Sequence, residues 1–302
     1  MSSRFTLLVA SEDPVLDGLV QNAPVGLPHE KYLLGNPIAL GPLIANSDSG
    51  VWALIEPVHF HATRDHLVLI NPDQLTLSEP ESSALLNAIA DLFENDGFSD
   101  LKMIHPKQWI AKAATFRSLT TYSSAQAQGR NIDWWLPKDS SEMGLARRWR
   151  KLQNEIQMLW HIHPVNQRRE AENLPMINSV WISGIGQKED LQFPKTLTES
   201  DLLMGDSPFM KNYAEYHKTP YQNTFAIHQE KNTFAFFNQP KHIWSDLYQA
   251  VMDQKIELEI IDFPAHLKSQ ARQRYFSKND FSQSKWIFWK KNRMPTWQDM
   301  LK

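Results

Sequence analysis

An α/β fold, a mixed β-sheet with flanking helices, is what this sequence predicts, on three observations. Short apolar runs of strand length alternate along the chain with longer segments of helical period, a mixture that neither an all-α nor an all-β protein would show. The 302 residues are 42% hydrophobic and 22% charged with a net charge of -3, which excludes a disordered or collagen-like polymer. Eleven Trp and 15 Phe supply ample area for burial, so a core of ordinary size is easily built. The expected organisation is a single α/β domain over residues 1–302, with a sub-lobe around 101–186.

The elements follow in order. Phe5-Thr6-Leu7-Leu8-Val9-Ala10 has the length and apolarity of a buried strand. Residues 21–50 hold Pro24, Pro28, Pro37 and Pro42 with Gly26, Gly35, Gly41 and Gly50, and read mostly as turns and loop. Residues 51–55 and 66–70 read as two strands, the second closed by Asn71-Pro72-Asp73. Ser78 followed three residues later by Glu81 is a capping box, Pro80 suits a first turn, and Leu85, Leu86, Ile89, Leu92 and Phe93 recur at helical spacing before Gly97. Leu145, Trp149, Leu152, Ile156 and Leu159 step by four, three, four and three, which predicts a helix over about 142–161. It should stop at His163, because the residue before Pro164 is driven out of helical conformation. Residues 178–183 read as a strand that delivers the chain into a glycine loop, Gly184-Ile185-Gly186. Strands at 224–228 and 232–237, a helix around 240–252, a strand at 256–261 and an aromatic strand at 285–289 complete the pattern.

Charge is unevenly spread. Residues 1–100 carry 14 acidic against 3 basic side chains, and residues 101–302 a net +8. Either the two parts neutralise each other or the basic part faces an anion. No apolar run reaches the roughly 18–20 residues that span a bilayer, and the chain begins without an apolar leader. The absence of cysteine excludes disulfides, thiolate metal sites and cysteine nucleophiles. A soluble cytoplasmic protein with no membrane partner is the expectation.

The stretch richest in chemistry runs from 152 to 186. Glycines after a strand let backbone N–H groups approach an anion, arginine offers a planar fork for phosphate or carboxylate, and asparagine orients a ligand through its donor and acceptor. Arg169, Asn166, Asn178, Ser183, Gly184 and Gly186 could thus hold a small anionic metabolite. In the alternative reading the glycines only permit a tight turn and the asparagines only cap one. Ser183 lacks the flanking glycines of a nucleophile elbow, and Gly184-x-Gly186 lacks the third glycine of a dinucleotide fingerprint.

Leu152-Gln153-Asn154-Glu155 with Gln157-Met158, then His163-Pro164-Val165-Asn166, the pair Arg168-Arg169, and Asn178-Ser179-x-Trp181-x-Ser183-Gly184-x-Gly186 resembles the RpfE-like regulatory-protein family of proteobacteria, often labelled phosphoglycerate-mutase-like. The same stretch is more distantly similar to archaeal-type cofactor-independent phosphoglycerate mutases. Pro164, Asn166, Arg169, Asn178, Trp181, Gly184 and Gly186 keep that pattern's spacing, and Pro175 lies one residue early. The resemblance implies an alkaline-phosphatase-like fold in degenerate form and a regulatory role. Within it, Arg169 would pair with a ligand's charge, Asn166 and Asn178 would orient it, and Ser183 with the 184–186 backbone would donate hydrogen bonds.

Those mutases use two divalent metals, a serine nucleophile and Asp/His ligands that include an Asp-His pair near the C-terminus. Here the Asp-His dipeptide is Asp65-His66, Asp262 has His266 four residues on, and Ser11-Glu12-Asp13 with Asp17-Gly18 is a degraded echo of the opening motif. Two-metal transfer needs a full ligand set, so no metal cofactor is expected. His59-Phe60-His61 with Asp65-His66 is expected to be a solvated or hydrogen-bonded loop cluster, with a chelated divalent metal as the alternative. A different kind of partner is suggested by Lys268, Arg272, Arg274, Lys278, Lys285, Lys290, Lys291 and Arg293 interleaved with Tyr275, Phe276, Phe281, Trp286, Phe288 and Trp289. Such a mixture suits nucleic acid or a protein partner, or else is the solvated flank of a strand.

Overall fold

The structure, a computed structural model, describes residues 3–10, 25–47, 49–70, 74–264, 267, 270–282 and 294–301. The chain is mixed α/β, with strands and helices interleaved. It divides into two compact units, and the second interrupts the first in the chain: Met1–Val15, Leu27–Leu33 and Phe193–Lys302 form the first, and Leu16–Gly26 with Leu34–Gln192 the second.

The first unit is built on a six-stranded sheet ordered Tyr221–Gln222, Leu202–Met204, Thr233–Phe236, Ser3–Leu8, Ile256–Asp262 and Arg272–Phe276. All neighbours are parallel except the last pair. Parallel strands covered on both faces read as continuous apolar runs, which is why Phe5-Thr6-Leu7-Leu8 and the stretch around Leu258, Ile260 and Ile261 are both legible as strand. Phe5, Leu7, Leu258 and Ile260 pack with Trp244, Leu247 and Val251 of the helix Trp244–Met252. Among strands expected from sequence, 224–228 is not one; the short strand lies earlier, at Tyr221–Gln222. The aromatic strand expected at 285–289 lies outside the described residues.

The second unit has a four-stranded antiparallel sheet in the order Ser99–His105, Gln108–Lys112, Trp52–Val58, Ser179–Gly186. Helices Glu79–Asn95 and Leu145–His161 supply Leu85, Ile89, Phe93, Trp149, Leu152, Ile156 and Trp160 to one core with Trp109. Burying each such side chain fully contributes about 1.5–3 kcal/mol. The last member of the helix stripe is Trp160 rather than Leu159: Trp160 packs edge-on to Trp109 and its Nε1–H donates to Leu85 O at 3.1 Å, while Leu159 is partly exposed.

Residues 21–50 contain more helix than their prolines suggest, with Pro28–Leu34 and Leu40–Ala45 both helical. Pro28 is the first helical residue, where its missing N–H costs no bond, and Pro42 is still in the first turn of its helix. By the same rule Pro164 both ends one helix and opens the next, Pro164–Ala171. Among the described residues no helix is long and apolar enough to cross a membrane.

Candidate functional site

The helix Pro164–Ala171 begins at His163, whose Nδ1 accepts from the Val165 N–H at 3.2 Å. That acceptor role requires a neutral imidazole. Burial first, then the charge of Arg168, lowers the His163 pKa in the same sense. The helix carries two residues of the sequence-derived set, Asn166 and Arg169, and both are buried.

Arg169 is 1% exposed and joins three separate stretches of chain. Its Nε donates to Pro175 O at 2.8 Å, and its Nη1 donates to Thr76 O at 2.8 Å and to Glu81 Oε1 at 3.1 Å. Its Nη2 is buried without a hydrogen-bond partner among the described residues. A guanidinium has five N–H donors, so part of this fork is unspent. Glu81 is the capping-box carboxylate of the helix Glu79–Asn95, and its Oε2 accepts from Ser78 N at 2.9 Å and Ser78 Oγ at 2.6 Å. Burial pushes the Glu81 carboxyl up, but the Ser78 and Arg169 donors together outweigh it and hold the pKa below its ordinary value.

Arg169, Arg168, Glu172 and Leu174 line one side of a hollow of about 760 Å³. The segment from Leu75 to Glu81 lines another side, and Lys107 from the turn between strands Ser99–His105 and Gln108–Lys112 also lines it. Lys107 was not singled out from sequence, and Ser78, Pro80 and Glu81 were read only as the start of a helix. Nothing short of the fold reveals them, since Arg169 and Glu81 are 88 residues apart.

Of the six residues expected to share one pocket, Arg169 alone lines this hollow. Asn166 spends its side chain on backbone: Nδ2 donates to Trp160 O and Ile177 O, and Oδ1 accepts from Ile177 N. Asn178 does the same for the neighbouring strand, accepting from Phe60 N at 2.7 Å and donating to Phe60 O at 2.9 Å. Both asparagines thus spend their side chains on joining separate stretches of backbone.

Ser183, Gly184 and Gly186 lie in the strand Ser179–Gly186, which continues through the glycines where a loop was expected. Leu54 pairs with Ser183 but Trp52 with Gly186, so the strand bulges there, and Gly184 takes a φ of +61°. A Cβ on Gly184 would lie 2.9 Å from Leu40 Cβ, and one on Gly186 2.5 Å from Ala39 Cβ. These glycines admit the start of the helix Leu40–Ala45 against the sheet. They are buried and covered by packing.

The histidine cluster lies along the hairpin of strands Phe60–Ala62 and Leu67–Leu69. His59 Nδ1–H donates to Met176 O at 2.7 Å, and His66 Nδ1 meets Asp65 Oδ1 at 2.9 Å. Burial lowers the His59 pKa, against the effect of that backbone bond. In the first unit, Asp262 ends a parallel strand, the position where α/β sheets commonly present ligand-binding groups. It is held by Arg272, with Nε 2.9 Å from Oδ1 and Nη2 2.5 Å from Oδ2, and by Arg274 Nη2 at 3.1 Å. His266 and the segment 11–18 lie outside the described residues. Among the described residues no three His, Asp or Glu side chains are grouped so as to hold a metal ion. Arg272 and Arg274, expected on a basic surface, are turned to Asp262, and Lys268, Lys285, Lys290, Lys291 and Arg293 fall outside the described residues.

No family model and no curated protein matches the chain. Among solved structures it is similar to a cofactor-independent phosphoglycerate mutase from Thermoplasma acidophilum, with a TM-score of 0.37 and 12% identity over 92% of this chain and 90% of that one. It is also similar to a protein from Pyrococcus horikoshii, with a TM-score of 0.37 and 9% identity over 90% of this chain and 85% of that one.

Proposed function

We propose that the chain is a regulatory binding protein for a small phosphorylated or acidic metabolite, seated in the hollow beside Arg169, and that it does not carry out two-metal phosphoryl transfer. One observation supports this above others: a guanidinium 1% exposed, with Nη2 lacking an acceptor, belongs to a residue lining a hollow that Arg168 and Lys107 also line. Burying a charged donor without an acceptor is costly, and an arriving oxygen that supplies one recovers part of that cost. Fixed positive charge behind a partly dry wall also attracts an anion more strongly than the same charge in water. The RpfE-like resemblance is in keeping with the regulatory half of the reading. The clamping of Asp262 by two arginines is in keeping with the non-catalytic half.

Thermal unfolding of the full chain with inorganic phosphate, 3-phosphoglycerate and succinate tests the proposal. A ligand at a hundred times its Kd adds about 2.7 kcal/mol to the native state and raises Tm accordingly. Arg168→Ala, at an exposed position, should weaken binding about tenfold, the worth of one charge-assisted contact. A Tm indifferent to the whole panel would end the proposal. Metal-dependent turnover of phosphoglycerate would overturn its non-catalytic half.

A further inference from the structure

We infer that the occupant of the hollow carries an ammonium group as well as its acid group, an inference that rests on the binding proposal above. The lining is mixed in sign. Lys107, Arg168 and Arg169 are accompanied by two carboxylates, Glu81 and Glu172. Glu81 is already engaged by Ser78 and Arg169. Glu172 caps the helix Pro164–Ala171 and forms no ion pair among the described residues. Arg168 stands one helical turn before it, at the spacing that favours an ion pair, and the two do not pair either.

The hollow therefore holds a cation and a carboxylate that are near in sequence, on one helix end, and unspent on each other. A polyanion placed there would meet the guanidinium groups but would also be set beside two negative charges, so like-charge repulsion would offset much of the gain. A ligand with an acid group at one end and an ammonium at the other meets both signs: its oxygens face Arg168, Lys107 and Arg169, and its N–H donors face Glu172. The hollow is large for one small ion and of a size to hold such a molecule with water around it. The class is that of amino acids and aminoalkyl phosphates. Nucleic acids and polyphosphates are disfavoured by the same two carboxylates.

Two matched pairs of probes decide the matter by isothermal calorimetry on the full chain: 2-aminoethyl phosphate against propyl phosphate, and 4-aminobutanoate against pentanoate. Each pair differs by an ammonium in place of a methyl group. The amino member of each pair should bind at least about tenfold more tightly, the effect of one added charge-assisted contact. In Glu172→Gln, at an exposed position that leaves the core untouched, the amino member should weaken and the amine-free member should tighten until the two lie within about twofold. Equal or tighter binding of the amine-free members to the native sequence overturns the inference while leaving the acid-binding proposal in place. A preference for the amino members that survives Glu172→Gln also overturns it. Binding of no member of either pair overturns both.

Discussion

In the unit built on the six-stranded sheet, Asp262 is 5% exposed and is closed over by Arg272 and Arg274. In the unit built on the antiparallel sheet, Arg169 is 1% exposed and keeps Nη2 without an acceptor. Each buries a charge and each leaves one guanidinium nitrogen without a partner among the described residues, Nε of Arg274 in the first and Nη2 of Arg169 in the second, but Asp262 takes its counter-charges from the next strand whereas Arg169 borders a hollow. The difference teaches which of the two is open to a ligand. A buried anion with a bidentate guanidinium on it has little to gain from a further partner, whereas a buried cation with a spare donor has something to gain. The register explains the first case, because Asp262 stands directly across from Arg272, and Arg274 follows two residues on, on the same face.

The largest effect expected from this comparison comes from Arg169→Ala. It removes three part-buried hydrogen bonds, to the carbonyls of Thr76 and Pro175 and to Glu81, and leaves a cavity where a side chain 1% exposed stood, for about 4 kcal/mol in all. Arg272→Ala leaves Asp262 still paired with Arg274 and should cost about 2 kcal/mol. Urea unfolding of both variants ranks them. If Arg272→Ala proves the more damaging, the contrast between a doubly held anion and a singly placed cation is false.

Acid should act on the two units through different groups. In the first unit, burial lowers the pKa of His29 from 6.5 to about 4, beside the ring of Phe236 at 5.6 Å. Between those values the unfolded chain binds the proton and the native one does not. The stability due to neutral His29 is thus complete above pH 6.5, falls as the pH drops toward 4, and is gone below it. The shift corresponds to about 3 kcal/mol. In the second unit the lowered Glu81 pKa gives a contribution present above the ordinary carboxylate value and lost only as the pH falls through the lower, folded one. His29→Gln should therefore flatten the pH dependence of unfolding between 4 and 6.5 and leave the more acidic limb in place. A curve unchanged by His29→Gln would remove His29 from the account.

What sequence could and could not reveal follows from the range of the interactions. The capping box at Ser78 and Glu81 and the stripe from Leu145 to Ile156 were legible because a helix brings residues three and four apart together, so the pattern and the contact are both local. The hairpin formed by Ser99–His105 and Gln108–Lys112 gave no clear strand signal, since its first strand is an edge with mostly exposed side chains. The motif from Pro164 to Gly186 was legible as a pattern, but its meaning was not. Asn166, Asn178 and Trp181 hydrogen-bond backbone groups, and Trp181 Nε1–H donates to Tyr122 O, 59 residues away. The resemblance therefore rests largely on residues that hold the second unit together, while its arginine pair, Arg168 and Arg169, also borders the hollow. Glycine is the hardest case, because a glycine that frees a turn and one that admits a neighbouring helix look alike in sequence.

Gly184, set beside Gly144, gives the sharpest separation of those two roles. Its φ of +61° is unfavourable for alanine, and the new Cβ would lie 2.9 Å from Leu40 Cβ and 3.0 Å from Leu40 N, part of which is backbone that cannot rotate away. Gly184→Ala should therefore cost about 1–3 kcal/mol in urea unfolding. Gly144 has a φ of +95° but open space where its Cβ would sit, so Gly144→Ala should show the backbone cost alone, about 1 kcal/mol. The excess at Gly184 measures the close approach of the helix Leu40–Ala45. If its amides instead served an anion, the substitution would weaken phosphate binding in step with the lost stability. Since the packing at 184 and the hollow at Arg169 share no lining residue, binding measured on the folded variant should stay at the level of the native sequence.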